Sequence, residues 1–151
     1  MSVSSLSLRV RQLVGGVPVD SATLAHMGAQ PGAYVLVMEL ARPVLFSRPA
    51  LGEARFSGWL AYVGSARGSG GIAARLGRHF RPDKKVRWHV DELTNTVRQI
   101  TAVAVPGMSE CGLVAQLVES GEFVTAFKGF GSSDCHCCEA HLLQPVGAWG
   151  G

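Results

Sequence analysis

The apolar residues of this chain come in short runs, each cut off by glycine or proline, and that limits what it can fold into. Of its 151 residues, 26 are glycine or proline. The longest uninterrupted apolar stretches, such as Ala33 to Met38, fall far short of the ~20 residues a membrane-spanning helix needs. So many breaks argue against a coiled coil or helical array and for a fold rich in turns. With 47% apolar residues and only 17% charged, the chain can still bury one domain's worth of core. Arg9 and Arg11 fall where a signal peptide would need its apolar stretch. The expectation is a soluble, unexported, cytoplasmic protein.

The runs and breaks give a provisional order of elements. Met1 to Ser7 reads as frayed, and Leu8 to Leu13 as a short edge strand or helix. Strands are expected at Ala33–Leu40, Val44–Ser47, Gly58–Gly64, Val97–Val105 and His141–Leu143. A helix over Ile72–Phe80 carries Ile72 and Leu76 on one stripe and Arg75 and His79, four apart, on another. Pro82 ends it. Trp88–Asn95 reads as a short helix, and Ser109 as the N-cap of a helix over Glu110–Glu119, stopped by Gly121. The predicted fold class is α+β, a small central sheet flanked by helices in a single domain. Residues 1–30 would be an N-terminal extension, 31–145 the domain and 146–151 a loose tail.

Charge is unevenly placed. From Arg67 to Arg98 eight basic residues stand against three acids, +5 in 32 residues, whereas the remainder has six basic and eight acidic residues, −2. The whole net charge of +3 therefore comes from one helix-bearing segment. Such a cationic field suits a polyanion, because Lys and Arg displace counterions condensed on phosphate. Arg67, Arg78, Arg81, Lys84, Lys85, Arg87 and His89 are the candidate nucleic-acid contacts, against the plainer reading of a solvated basic face.

Two Gly/Tyr elements stand on consecutive apolar strands, Gly32-Ala33-Tyr34 and Tyr62-Val63-Gly64. Arg75 follows eleven residues after Gly64, then His79, and Glu110 comes 35 residues after Arg75. In this order the residues resemble the GIY-YIG nuclease superfamily. Tyr62 to Gly68, Trp88-His89-Val90-Asp91 and Gly129 to Cys135 resemble its Uri-type branch. The resemblance runs from about Pro31 to Leu143. It implies an α/β sandwich and hydrolysis of DNA phosphodiesters with one divalent cation, Mg²⁺ or Mn²⁺. Tyr34, Tyr62, Arg75, His79 and Glu110 would be its catalytic set.

The residue types suit that chemistry. Glu110 would be the single carboxylate on a hard cation, and Arg75 a planar fork for phosphate oxygens. A tyrosine, Tyr34 or Tyr62, would be the base, and His79 a relay or phosphate contact. His89 and Asp91 could contact DNA or end a helix. The 27 residues between Tyr34 and Tyr62 imply an added hairpin or loop, and a polar residue that many superfamily members carry late in the domain has no match.

Cys135, Cys137 and His141, with Cys111 adjacent to Glu110, form a candidate zinc set. Their spacing is not that of standard knuckles, and buried unligated thiols are the stronger reading. Asp134 is a further candidate acid. The alternatives to a nuclease are a non-catalytic nucleic-acid-binding module on the same fold, or a zinc- or redox-responsive interaction protein. With no room for a specificity domain, selectivity would come from loops or a protein partner.

Overall fold

The computed structural model describes residues 2–130 and 140–147. Those residues form eight strands, four α-helices and one short 3-10 helix at Leu24–His26: α1 (Val3–Val14), β1 (Val17–Val19), β2 (Gly32–Leu40), β3 (Val44–Arg48), β4 (Gly52–Phe56), β5 (Trp59–Ala66), α2 (Gly71–Phe80), α3 (Asp91–Thr94), β6 (Val97–Pro106), α4 (Glu110–Glu119), β7 (Phe123–Thr125) and β8 (Leu142–Pro145). Six of the strands make one antiparallel sheet in the order β1-β6-β2-β5-β8-β7, and β3 and β4 pair as a separate hairpin. The fold is α+β and a single domain. Among the described residues no helix is long and apolar enough to cross a membrane.

Strand alternation assigns the two faces of the sheet. On β2, Ala33, Val35 and Val37 pack with Leu6 and Val10 of α1 and with Leu113, Val114 and Leu117 of α4. Tyr34, Leu36, Met38 and Leu40 point the other way, onto Ile72 and Leu76 of α2, Leu93 of α3, and Phe46 and Phe56 of the hairpin. Buried on both faces, β2 is apolar almost throughout, with Glu39 its one charged residue. The hairpin occupies the long interval between Tyr34 and Tyr62, where an insertion was expected.

The amino terminus corrects the sequence expectation. The sequence predicts a frayed Met1 to Ser7 and a strand or helix over Leu8 to Leu13; one helix runs from Val3 through both. Ser2 caps it, accepting the Ser5 N–H at 3.1 Å, while the Ser5 hydroxyl accepts the Ser2 N–H at 3.1 Å. This reciprocal cap satisfies two donors at the helix end. Leu6 and Val10, four apart, are fully buried, and Arg9 forms an ion pair with Glu122 beyond α4. Edge strand β1 carries Pro18 where no ladder donor is needed. The sequence signals neither β1 nor β7, and β4 only as part of the added hairpin or loop. The last strand lies at Leu142–Pro145 rather than His141–Leu143, and the Trp88–Asn95 helix is only Asp91–Thr94 after a turn.

The Ser109 cap is as expected, its hydroxyl accepting the Gly112 N–H at 3.0 Å. Because Leu6 is fully buried and Leu8 is 51% exposed, the two leucines of α1 make a direct comparison. Leu6→Ala should cost about 2–5 kcal/mol in denaturant unfolding and Leu8→Ala less than about 0.5 kcal/mol.

Candidate active site

The site begins with strand register. In the β2–β5 pairing Tyr34 lies opposite Gly64, and Tyr62 opposite Leu36, so both tyrosines emerge on the α2 side of the sheet. The Tyr34 ring lies across Gly64. A Cβ there would come within 2.5 Å of the Tyr34 hydroxyl and 2.6 Å of Cζ, so glycine is required by close approach rather than by φ. Gly32 is fixed by the same kind of crowding. It has φ +149, and a Cβ on it would meet backbone of Val105, Pro106 and Gly107 at 2.6–2.8 Å. The Gly/Tyr pattern thus has a packing reason of its own.

Helix α2 completes the inner part. Its Ile72 and Leu76 are fully buried, and three residues further His79 is also buried. His79 Nε2 lies 2.8 Å from the Tyr34 hydroxyl oxygen. His79 Nδ1 has no hydrogen-bond partner among the described residues. Burial drives the His79 imidazole down to about 3, despite the opposing pull of Asp91. Burial also pushes the Tyr34 phenol well above its ordinary range, helped by Tyr62 and Glu110 and opposed by Arg75. The pair is therefore neutral at neutral pH. Tyr62 is only partly buried, yet burial and then the Glu110 charge push it up to about 12, with Arg75 pulling the other way.

Arg75, half-buried, sits one helical turn before His79 with its guanidinium carbon 4.5 Å from the Trp88 ring centroid. The Arg78 guanidinium lies 4.6 Å from the same ring and donates to Asp91 Oδ2 at 2.6 Å. That oxygen also accepts the backbone N–H groups of Arg87 at 2.8 Å and Trp88 at 2.9 Å. Burial raises the Asp91 carboxyl, but these donors outweigh it and hold it below the usual carboxylate range. Of the two roles expected for Asp91, the structure gives it the helix-terminal one.

Glu110 opens α4 with its side chain 28% exposed, and His141 Nδ1, nearly buried, lies 3.4 Å from its Oε2. Through their charges Glu110 and Arg75 act on both phenols. The structure therefore brings Tyr34, Tyr62, Arg75, His79 and Glu110 into one electrostatic neighbourhood.

The basic candidates divide. Arg67, Arg81, Lys85 and Arg87 are exposed. Arg78 is engaged with Asp91, and Lys84 Nζ donates to the Arg81 carbonyl at 2.9 Å and to Asn95 Oδ1 at 3.0 Å. His89 packs edge-on against Phe46 at 5.2 Å and Phe130 at 5.4 Å, and burial lowers its pKa. Cys135, Cys137 and Asp134 lie outside the described residues. Among the described residues no three His, Cys, Asp or Glu side chains gather to hold a metal. Sequence reasoning missed two contacts, Trp88 under Arg75 and His141 on Glu110.

His79 yields a pH test. A folded pKa of about 3 against an unfolded value near ~6.5 means the unfolded chain binds the extra proton between those limits. Stability should therefore fall as pH drops from about 6.5 toward 3, by at most ~1.4 kcal/mol per pH unit from this group. His79→Gln should lose that one-proton slope in unfolding measured across this range. An unchanged slope would mean His79 is not the titrating group.

A family model described as "Domain of unknown function DUF123" matches residues 33–146. No curated protein matches the chain, and no solved structure does. The matched stretch starts beside Tyr34 and ends just past β8, spanning all five residues of the cluster. The chain belongs to the DUF123 family.

Proposed function

We propose that this protein is a metal-dependent endonuclease of the GIY-YIG type, Uri branch, hydrolysing DNA phosphodiester bonds. The observation that carries the reading is the cluster itself. Two strand tyrosines, a helix arginine, a buried histidine and a helix-opening glutamate, 76 positions from first to last in sequence, share one neighbourhood in the fold.

The donor set fits a hard cation better than a soft one. Glu110 offers partly exposed carboxylate oxygens, the hard donors that a hard cation prefers. A carboxylate on a partly exposed helix end suits an ion that keeps several of its waters, which is Mg²⁺ or Mn²⁺ behaviour. Bound there, the ion would supply charge neutralisation at the scissile phosphate and at the Glu110 carboxylate, whose charge adds to burial in raising the Tyr62 phenol.

The chain's own residues have separable tasks. Arg75, cationic and without an ion pair among the described residues, offers two parallel donors to phosphate oxygens. Tyr62, only partly buried, can meet an attacking water and accept its proton once its own is lost. Tyr34 is 2% exposed and engaged with His79, which fits an orienting role. Exposed Arg67, Arg81, Lys85 and Arg87 would grip the backbone on either side. A binding module without turnover draws on a different observation, namely that both phenols are held protonated.

The test is cleavage of single- and double-stranded DNA with Mg²⁺, Mn²⁺ or chelator. Wild type should cut only with metal, and Arg75→Ala and Glu110→Ala should each lose at least about 100-fold in kcat/KM. The rate should climb with pH over roughly pH 6–9, because the base must shed a proton held above its ordinary pKa. Activity persisting in both variants would indicate a contaminant, and salt-sensitive binding without cleavage would favour the binding module. Lys85→Gln and Arg87→Gln should each weaken DNA binding and flatten its log-log salt dependence by about one unit.

A further inference from the structure

We propose that Trp88 is a positioning residue for Arg75, its indole face setting the direction in which that guanidinium is presented. The consequence for turnover rests on the nuclease reading, but the geometry does not. Arginine has a long, rotamer-rich side chain, and a guanidinium left free in solvent has no fixed direction. A planar cation stacked on an aromatic face does. At 4.5 Å from the ring centroid, Arg75 is in that position.

The platform is itself held on several sides. The Trp88 and Arg87 backbone N–H groups are tied to Asp91 Oδ2, which also accepts from Arg78 Nη2. Val90 and Leu93 are buried and anchor the turn in the core. The ring also meets the His79 ring, with centroids 6.1 Å apart. Two like-charged guanidinium groups on one indole would repel, but the Arg78 charge is matched by the fully buried Asp91 carboxylate. Among the described residues Arg75 is the cation on that ring without an ion pair. Trp88 and Asp91 thus act at opposite ends of one device: the acid fixes the turn and cancels one charge, and the indole directs the other. A group held in the geometry its task needs spares the ordering cost at the moment of reaction.

Two variants and a spectroscopic measurement test this. Trp88→Met fills much of the same space without a π face, and Trp88→Phe keeps one. In the wild type, ring current from the indole should shift the Arg75 side-chain NMR resonances upfield. Trp88→Met should abolish that shift and Trp88→Phe should keep part of it. In the cleavage assay Trp88→Met should lose about tenfold in kcat with KM changed less than about threefold, and Trp88→Phe should stay within about threefold of wild type. An unshifted Arg75 in the wild type would overturn the proposal, as would equal activity of the Met and Phe variants. The NMR arm needs no turnover. A wild type that cuts no DNA would sink the nuclease reading, while the Arg75 shift would still decide the stacking.

Discussion

The Tyr34 ring lies in the space where any residue but glycine at position 64 would carry a Cβ, and much of the site depends on that contact. It exists only in one register of β2 against β5, since a slip by a single residue would turn every side chain to the other face. The register is reinforced because β2 is buried on both faces, with alternate residues committed to different helices. With the ring held against Gly64 of β5, its hydroxyl reaches His79 on α2. The burial of Ile72 and Leu76 fixes where that helix sits. Arg75, one turn before His79, is then carried to the same side of the sheet as Tyr62.

Electrostatics follow from burial. A neutral Tyr–His pair can be buried at far lower cost than a charged one, and both groups are displaced toward their neutral forms. The buried charge on this side belongs to Asp91, and it is compensated by Arg78 and two backbone N–H groups. Such a pair contributes little net stability against an apolar replacement. Its effect is placement, because it shapes the turn that carries Trp88. The positive surplus legible in the sequence therefore sorts into cations engaged in the fold, among them Arg78 and Lys84, and cations exposed to solvent, Arg67, Arg81, Lys85 and Arg87.

Much of the frame was legible in the sequence because its signals are local. The β2 and β5 strands are bounded by glycine and proline, α2 shows its apolar stripe and its stop at Pro82, and α4 is announced by Ser109 and Gly121. Helix α1 is only half legible, as a strand or helix over Leu8–Leu13, because a serine-rich start conceals a reciprocal cap, and Leu6 and Val10 are its only fully buried apolar residues. Strands β1, β4 and β7 run three to five residues, too short for alternation to stand out. They exist because a neighbouring edge was available. Tyr34, Tyr62, Arg75, His79 and Glu110 were found through family order. The contacts between Arg75 and Trp88 and between Glu110 and His141 join residues 13 and 31 positions apart, a distance at which spacing says nothing.

The reading of the cluster as one phosphodiester-cleaving site is tested most directly by where a metal and a nucleotide bind. A crystal structure with Mn²⁺ and a short oligonucleotide carrying a non-hydrolysable linkage would show both, the manganese identified by its anomalous signal. Manganese should lie on the Glu110 carboxylate and a phosphate between Arg75 and Tyr62. Manganese or phosphate bound away from these residues, with the cluster unchanged, would contradict that reading.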